Sequence, residues 1–283
     1  MRVGTVLEVW RYPVKSMAGE PRDAVMFDRR GIPGDRGWAL FDDERQGVTS
    51  AKRLPAARAC MASYVSEPTA DATSPDVEVT LPDGRRFRGS SPEATTQLTA
   101  YFGRPVSLLP LGPPGSESAP RLTLQGESEE TVRAMHALAL GEPMPDYSAF
   151  PPERLRALRQ GNFFDAYPLH LLTRTTLQTL AAIAPASRWD PRRFRMNLLL
   201  DCPSSARFPE QAWIGRRLRV GSAVIEVTIG CPRCVAVTQP VDDLPQDRSI
   251  MRTLVAETHH IAGVYATVVE PGHARVGDAV TLI

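Results

Sequence analysis

Two cysteines with a proline and an arginine between them, Cys231 and Cys234, form the sharpest chemical feature of the sequence. They follow a predicted strand at 224–229 and precede a short apolar run at 235–238, which we also interpret as a strand. A thioredoxin-type pair needs its first cysteine at a helix N-terminus, and no helix is predicted directly after this pair. A structural zinc site usually needs two such pairs, and the sequence contains one. Two interpretations remain: a thiolate ligand for a soft metal beside the cation of Arg233, or two small residues that fill a core.

Two polar loops near the N-terminus carry groups suited to a phosphate. The first contains Lys15, which offers a point charge, and Ser16, which offers a hydroxyl. The second, Gly-Asp-Arg at 34–36, contains Arg36, whose guanidinium can bind a phosphate through two parallel hydrogen bonds. Each loop taken alone is more often a solvated turn, so neither identifies a site by itself.

A further cluster lies at 192–197, directly before a predicted strand at 198–200. Strand alternation predicts that Arg195 and Asn197 lie on the same face, where they could hold an anionic or heterocyclic ligand. The alternative is a charged segment on the protein surface. The five histidines are expected at surface or cap positions rather than at a site.

Strands must position these clusters, because short apolar or alternating runs separated by turn signals dominate both ends of the chain. In the first part we predict strands at 3–10, 24–27, 38–41, 61–65, 77–81, 86–88 and 106–109. In the second part we predict strands at 168–172, 196–200, 217–220, 223–229, 235–238, 263–269 and 279–283. Helices are predicted at 92–102, 129–139, 152–159, 175–183 and 251–258, and a linker-like stretch at 111–120. The pattern predicts a mainly β protein with some α-helix (α+β) and a barrel-like core.

Composition excludes several classes of protein. The 283 residues include 33 basic and 32 acidic side chains, and the net charge of +1 indicates neither a nucleic-acid nor a membrane partner. No apolar run approaches the ~20 residues that span a bilayer, and the first residues lack a signal-peptide pattern. Four scattered cysteines do not make a disulfide framework. We therefore expect a cytoplasmic protein.

Taken together and in this order, the clusters resemble the MOSC family, named after the C-terminal domain of molybdenum cofactor sulfurases. More closely, the chain looks like the two-part members, including the amidoxime-reducing branch, in which a MOSC N-terminal β-barrel domain precedes the MOSC domain. The matching segments are 12–16, 34–36, 48–52, 165–173, 193–197, 230–234 and 263–278. The resemblance implies an N-terminal β-barrel-like domain at 1–115 packed on a MOSC β-barrel domain at 116–283.

The resemblance also implies a molybdopterin-type molybdenum cofactor in the cleft between the two domains. By match of the Arg-Cys pair, Cys234 would be the metal ligand and the catalytic residue. Lys15, Ser16 and Arg36 match residues that grip the pterin phosphate. The positions that match residues near the pterin or the metal are Thr173, Arg195, Asn197 and Arg233. Cys231 receives no role beyond core packing. Pyridoxal phosphate binding is also attributed to members of the family.

The activity implied by the resemblance is a molybdenum-dependent reduction of N-hydroxylated small molecules, with oxygen leaving as water. The sequence has no four-cysteine spacing for an iron–sulfur cluster, so electrons would come from a separate ferredoxin- or flavoprotein-like partner. No acid–base pair stands out, and Asp165, Asp35 or water could supply protons. After Cys234 the chain departs from the reducing relatives, which leaves the substrate-side loop open.

Two other classes of function stay open. A sulfur-transfer or cofactor-carrier protein would use Cys234 as a persulfide or ligand, and its thiol would have to be exposed and low in pKa. The phosphate-binding residues of the first domain favour the oxidoreductase, because a sulfur carrier does not need them. The third class is a pterin- or anion-binding module without a metal.

Overall fold

The computed structural model of the 283-residue chain describes residues 1–70, 72–113, 116, 119–124, 126–148 and 162–283. The strands are β1 (Arg2–Arg11), β2 (Glu20–Arg22), β3 (Ala24–Phe27), β4 (Trp38–Asp42), β5 (Gly47–Val48), β6 (Met61–Tyr64), β7 (Val77–Thr80), β8 (Arg86–Arg88), β9 (Val106–Pro110), β10 (Leu169–Thr173), β11 (Leu198–Asp201), β12 (Arg217–Val220), β13 (Ala223–Pro232), β14 (Ile261–Glu270), β15 (Gly272–Arg275) and β16 (Ala279–Leu282). The α-helices are α1 (Pro92–Phe102), α2 (Glu129–Met135), α3 (Arg174–Ile183) and α4 (Ser249–Thr258). The helix predicted at 152–159 lies outside the described residues. The predicted α+β fold, rich in strands, is confirmed.

Seven strands close into a barrel in the order β1, β11, β10, β14, β13, β12, β16 and back to β1. All neighbours are antiparallel except β10 and β11, which run parallel. Residues two apart on one strand face the same side, so Ile225 and Val227 of β13 are buried together with Val264 and Ala266 of β14. The barrel core predicted from the alternating runs is therefore present.

The N-terminal half adds two three-stranded sheets, β5-β4-β9 and β6-β7-β8, around one shared core. Trp38 and Leu40 of β4 pack in this core with Val79 of β7 and Leu98 of α1. The two halves are also joined through the backbone, because β1 completes the barrel and β3 pairs with β15. The division into 1–115 and 116–283 stays a prediction.

Helix α1 begins at Pro92 and ends at Phe102, as the sequence predicts. Pro92 stands in its first turn, and Gly103 adopts the left-handed conformation, with φ 68°, that closes many helices. Among the helices of the described ranges, none is both long and apolar enough to cross a membrane.

One predicted strand is wrong, because Val235–Thr238 forms a short 3-10 helix. Strand β13 ends at Pro232, and the chain then turns away from the barrel. Val237 becomes fully buried in a third core, formed around α3 and α4. The β-branched residues that predicted a strand are thus used to fill a core in a turn, since burial outweighs weak strand propensity. Three short strands, β2, β5 and β15, were not predicted from the sequence.

Candidate functional site

A cavity of about 200 Å³ lies at the end of the barrel where β13 ends and β11 begins. Loops from the N-terminal half cover it, since Arg36 precedes β4 and Lys52 follows β5. Five of the predicted site residues line this cavity: Arg36, Arg195, Asn197, Arg233 and Cys234. The structure therefore brings together three of the clusters that the sequence singles out. We call this space the Cys234 cavity.

Cys234 is the accessible cysteine of the chain. Cys60, Cys202 and Cys231 are buried, whereas Cys234 is half-buried and lies in the cavity wall. It sits two residues beyond the end of β13, with an extended backbone that leads into the 3-10 helix. A thiol that ligates a metal or attacks a substrate must be reachable, and Cys234 meets that requirement.

Arg233 is held rigidly beside this thiol. Its guanidinium donates to the sulfur of Cys231 at 2.7 Å and to the carbonyl of Phe194 at 2.6 Å. Burial lowers the pKa of Arg233, but Cys231 and Tyr265 outweigh it and the net pKa is raised, so the side chain stays charged. Its Nε has no hydrogen-bond partner among the described residues. A buried donor without a partner is costly, which favours a ligand at this position.

Two further guanidiniums stack on one aromatic ring. Arg36 and Arg195 lie over Tyr12, with distances to the ring centroid of 4.5 and 4.2 Å. Arg36 forms an ion pair with Asp35 and donates to the carbonyl of Arg195 at 3.2 Å. Burial, followed by the charges of Arg36 and Arg58, holds the pKa of Arg195 well below its usual range. No carboxylate pairs with Arg195 within the described ranges, so its charge is available to an anion.

Three of the predicted site residues have strained backbones. Ser16, Arg36 and Arg195 have φ values of 76°, 52° and 55°, in the left-handed region that side chains other than glycine avoid. Such strain persists where the surrounding structure imposes it, often at functional sites. Arg195 also corrects one prediction, because it stands in a turn rather than in a strand. Arg195 and Asn197 reach the same cavity through that left-handed turn and not through strand alternation.

Asn197 connects the two halves of the site. Its amide nitrogen donates to Asp35 Oδ2 at 2.9 Å and to the carbonyl of Trp10 at 3.2 Å. Its amide oxygen accepts from the backbone nitrogen of His170 at 3.1 Å. The fully buried side chain therefore fixes the loop of Arg36 against the barrel.

Lys15 lies behind the cavity rather than in its wall. Its ammonium pairs with Asp165 and donates to the carbonyl of Phe163 at 2.9 Å, and Asp165 lines the cavity. The side chain of Lys15 is 8% exposed and that of Asp165 is 77% exposed. Burial lowers the pKa of Lys15 to about 8, although Asp165 opposes the shift. The charges of Lys15 and Lys52 hold the pKa of Asp165 well below its usual range.

Ser16 and Thr173 have structural contacts instead of cavity positions. The hydroxyl of Ser16 accepts from the backbone nitrogen of Ala51 at 2.8 Å, which orders the loop that carries Lys52. The hydroxyl of Thr173 caps α3 and donates to Glu210 at 2.7 Å. The structure thus does not bring Thr173 together with the other predicted site residues.

Lys52 and His170 line the cavity but were not among the site residues predicted from the sequence. Lys52 belongs to a segment that matches the family, but a lone lysine after a short apolar run has no further signal. His170 was expected at a surface or cap position, and that expectation is wrong. It is buried on β10, where Nε2 contacts the carbonyl of Ala262 at 3.2 Å, and it lines the cavity. Burial, reinforced by Arg233, holds the pKa of His170 well below its ordinary value. The neighbours that cause this come from distant parts of the chain.

The protein supplies few metal ligands at this place. Among the residues that the structure describes, no group of three or more His, Cys, Asp or Glu side chains could hold a metal ion. A metal at Cys234 would therefore take its remaining ligands from a cofactor or from water. Five cations line the cavity and fit a cofactor that carries negative charge: Arg36, Lys52, Arg193, Arg195 and Arg233.

The closed barrel, the preceding small sheets and the thiol in a cationic cavity can now be compared with known protein families. The MOSC domain family matches residues 159–281, and the MOSC N-terminal beta barrel domain family matches residues 3–101. The chain therefore belongs to the MOSC-domain proteins that carry this N-terminal domain, as the sequence motifs predict.

Within that class the chain is distantly similar to two mitochondrial proteins. It is 26% identical over 308 residues to human mitochondrial amidoxime reducing component 2, covering 99% of this chain and 83% of the relative. It is 24% identical over 321 residues to mouse mitochondrial amidoxime-reducing component 1, covering 100% of this chain and 83% of the relative. The crystal structure of the YUAD protein from Bacillus subtilis superposes with a TM-score of 0.43 and 11% identity, covering 99% of this chain and 94% of that one.

Proposed function

We propose that this chain is a molybdenum-cofactor-dependent oxidoreductase that reduces N-hydroxylated small molecules, with electrons from a separate ferredoxin- or flavoprotein-like partner. The observation that carries the proposal is the half-buried thiol of Cys234 in a cavity lined by five cations. The distant similarity to the amidoxime reducing components supports the reductase chemistry.

Several side chains of the cavity suit the molybdenum cofactor. Cys234 would supply a thiolate ligand, and the bound cofactor would supply two-electron redox chemistry at its metal. Arg195 and the Nε of Arg233, for which the described residues supply no carboxylate and no acceptor respectively, would bind its negative charge. The cavity of about 200 Å³ is smaller than the ~300–1,000 Å³ of typical ligand sites. Part of the cofactor would therefore lie at the cavity mouth.

The reduction of an N–OH group to N–H consumes protons as well as electrons, and Lys15 can hold one. With a pKa of about 8, Lys15 Nζ is protonated at neutral pH but releases its proton more readily than an ordinary lysine. Its partner Asp165 faces the cavity, whereas the low pKa of Asp165 keeps that carboxylate ionised. The reduction consumes two protons, and we assign one of them to Lys15 Nζ, beside the ionised carboxylate of Asp165 in the cavity wall, and the other to solvent. Asp35 is engaged with Tyr12, Arg36 and Asn197 and takes no part.

The decisive measurement is the molybdenum and pterin content of protein purified from a host that overproduces the cofactor. We expect near-stoichiometric metal in the wild type and its loss in Cys234→Ser. Cys202→Ser is the matched control, because Cys202 is a free cysteine buried in the barrel core. Loaded wild-type protein should then reduce an aromatic amidoxime with an artificial electron donor.

Each component of the proposal can fail separately. Metal-free, pterin-free protein, prepared beside a loaded control enzyme, would contradict the cofactor assignment. Sulfur that cyanide releases from the wild type but not from Cys234→Ser would instead indicate a sulfur-transfer protein. Loaded protein without reductase activity would retain the cofactor assignment and overturn the activity.

A further inference from the structure

A second cavity, of about 160 Å³, lies on another side of Tyr12. Tyr12 lines this second cavity, whereas the two arginines that stack on its ring line the Cys234 cavity. The remaining walls are largely apolar and include Trp10, Met61 and Val241. None of the residues assigned to the cofactor lines it. Two cations, Arg58 and Arg192, line it, and we call it the Arg58 cavity after the one that is almost fully buried.

Arg58 is almost completely removed from water. The residue is 1% exposed, and its guanidinium makes one hydrogen bond, from NH2 to the carbonyl of Arg192 at 3.0 Å. Its Nε and its other terminal nitrogen are buried and have no partner among the described residues. Burying a charge without an opposite charge or a full set of hydrogen bonds is unfavourable. The fold therefore carries a cation whose partner the described chain does not supply.

Among the described residues, no carboxylate forms an ion pair with Arg58. After burial, which lowers its pKa to about 10, the strongest influences come from Tyr12, Arg233 and Cys234, and none is a carboxylate. One carboxylate, Asp242, lines the same cavity, but it bonds to Arg192 at 3.0 Å. Asp242 also has a left-handed backbone, with φ 55°. The cavity thus joins an unpaired cation to apolar walls.

We propose that the Arg58 cavity binds a small carboxylate with an apolar body, of the aromatic-acid class, with Arg58 as its counter-ion. Charges attract strongly over several ångströms in apolar surroundings, so a carboxylate against the Arg58 wall neutralises the guanidinium. The ring of such an acid packs against Trp10 and Met61, which buries apolar surface on both sides. An inorganic anion gains only the first of these interactions. None of the residues assigned to the cofactor lines this site, so the proposal goes beyond the proposed function.

Benzoate is the probe that tests this site, by calorimetric titration and by the thermal unfolding midpoint of metal-free protein. We expect benzoate to bind the wild type and to raise its midpoint, and we expect Arg58→Met to weaken binding at least tenfold. Without benzoate, Arg58→Met should not lower the midpoint, because a buried unpaired charge is replaced by an apolar chain. Arg53→Met is the matched control, since the side chain of Arg53 is only 8% exposed but is paired with Glu127. That variant should lose stability and keep its benzoate affinity.

A second variant tests the site by a gain of affinity. Asp242→Asn removes the negative charge from the cavity, and asparagine tolerates the left-handed backbone at this position. Its side chain is 63% exposed, so the variant should fold normally. We expect benzoate to bind it several-fold more tightly than the wild type.

Inorganic phosphate distinguishes the two cavities. We expect phosphate to bind in the Cys234 cavity, and we expect Arg36→Gln to weaken that binding. Benzoate binding that survives Arg58→Met, or that disappears in Arg36→Gln alone, would overturn the proposal. So would an unchanged affinity in Asp242→Asn. Failure to load molybdenum has no bearing on these titrations, so the failures of the two proposals can be told apart.

Discussion

The guanidinium of Arg233 donates a hydrogen bond to the sulfur of Cys231 at 2.7 Å, and this contact gives the first cysteine of the pair a role. Cys231 is completely buried and packs in the barrel end, as a core-filling residue would. Its sulfur also fixes the cation next to Cys234, so the two cysteines differ in function. Cys234 offers a reachable thiol, whereas Cys231 positions the charge beside it.

We predict that Cys231→Ala reduces the molybdenum and pterin content several-fold, because Arg233 loses a fixed partner in the cavity wall. The free energy of unfolding should fall by about 1–3 kcal/mol, the usual cost of leaving a buried polar group unsatisfied. Elemental analysis and urea unfolding measure the two effects. Cys202→Ala provides the comparison: it should lose similar stability and keep its cofactor. Equal cofactor loss in both variants would show that Cys231 acts through stability alone.

Lys15 makes stability depend on pH in the alkaline range. Its pKa is lowered from 10.5 to about 8, so between these values the unfolded chain holds a proton that the folded chain has released. The free energy of unfolding contributed by Lys15 therefore rises with pH from about 8 to 10.5. We predict that the stability of Lys15→Met, relative to wild type, falls across this window in urea unfolding.

The comparison between variant and wild type removes the contribution of buried tyrosines. Tyr12, for example, has a pKa raised to about 12 by burial, which makes stability fall with alkaline pH in both proteins. Asp165→Asn supplies a companion test, because that carboxylate raises the pKa of Lys15. In Asp165→Asn, the pH range over which Lys15 increases the free energy of unfolding should therefore begin at lower pH. A Lys15→Met difference that does not vary with pH would contradict the assignment.

Arg195 places a guanidinium in the cavity, but its left-handed backbone lowers the stability of the fold. With φ 55°, its backbone favours glycine, and an alanine in that conformation costs about 1 kcal/mol. We predict that Arg195→Gly unfolds at higher urea concentration than Arg195→Ala, although both lose the same guanidinium. Both variants should lose phosphate affinity equally by calorimetry. If alanine and glycine gave equal stability, the backbone strain inferred at this position would be absent.

A substitution at Thr173 tests whether this residue stabilises the fold or binds the cofactor. Thr173→Val removes the cap of α3 and one of the hydroxyls that bond to the buried Glu210. We predict a loss of about 1–2 kcal/mol in the free energy of unfolding and an unchanged molybdenum content. Thr179→Val, at a half-buried position of the same helix where the hydroxyl donates to the carbonyl of Arg207 at 2.9 Å, should leave the molybdenum content unchanged and lower stability less than Thr173→Val. Cofactor loss without a loss of stability would instead place Thr173 at the cofactor.

The sequence alone predicted much of the fold, because short alternating runs and turn residues are local signals. Strand β12 and helix α1 have the predicted bounds, and the alternation along β13 and β14 indicated a barrel. The order of the motifs identified the family, and five predicted site residues do line one cavity. These features depend on residue type and spacing, which a single chain displays without any tertiary contact.

Only the tertiary structure decided which side chains line the cavity and which are buried elsewhere. Thr173 became a helix cap, Lys15 reached the cavity through Asp165, and His170 became a buried wall residue. Burial and charge arise from neighbours that are distant in sequence, so no local pattern predicts the lowered pKa of Lys15 or the unpaired charge of Arg58. The run at 235–238 formed a 3-10 helix for the same reason, because the core around Val237 outweighed strand propensity.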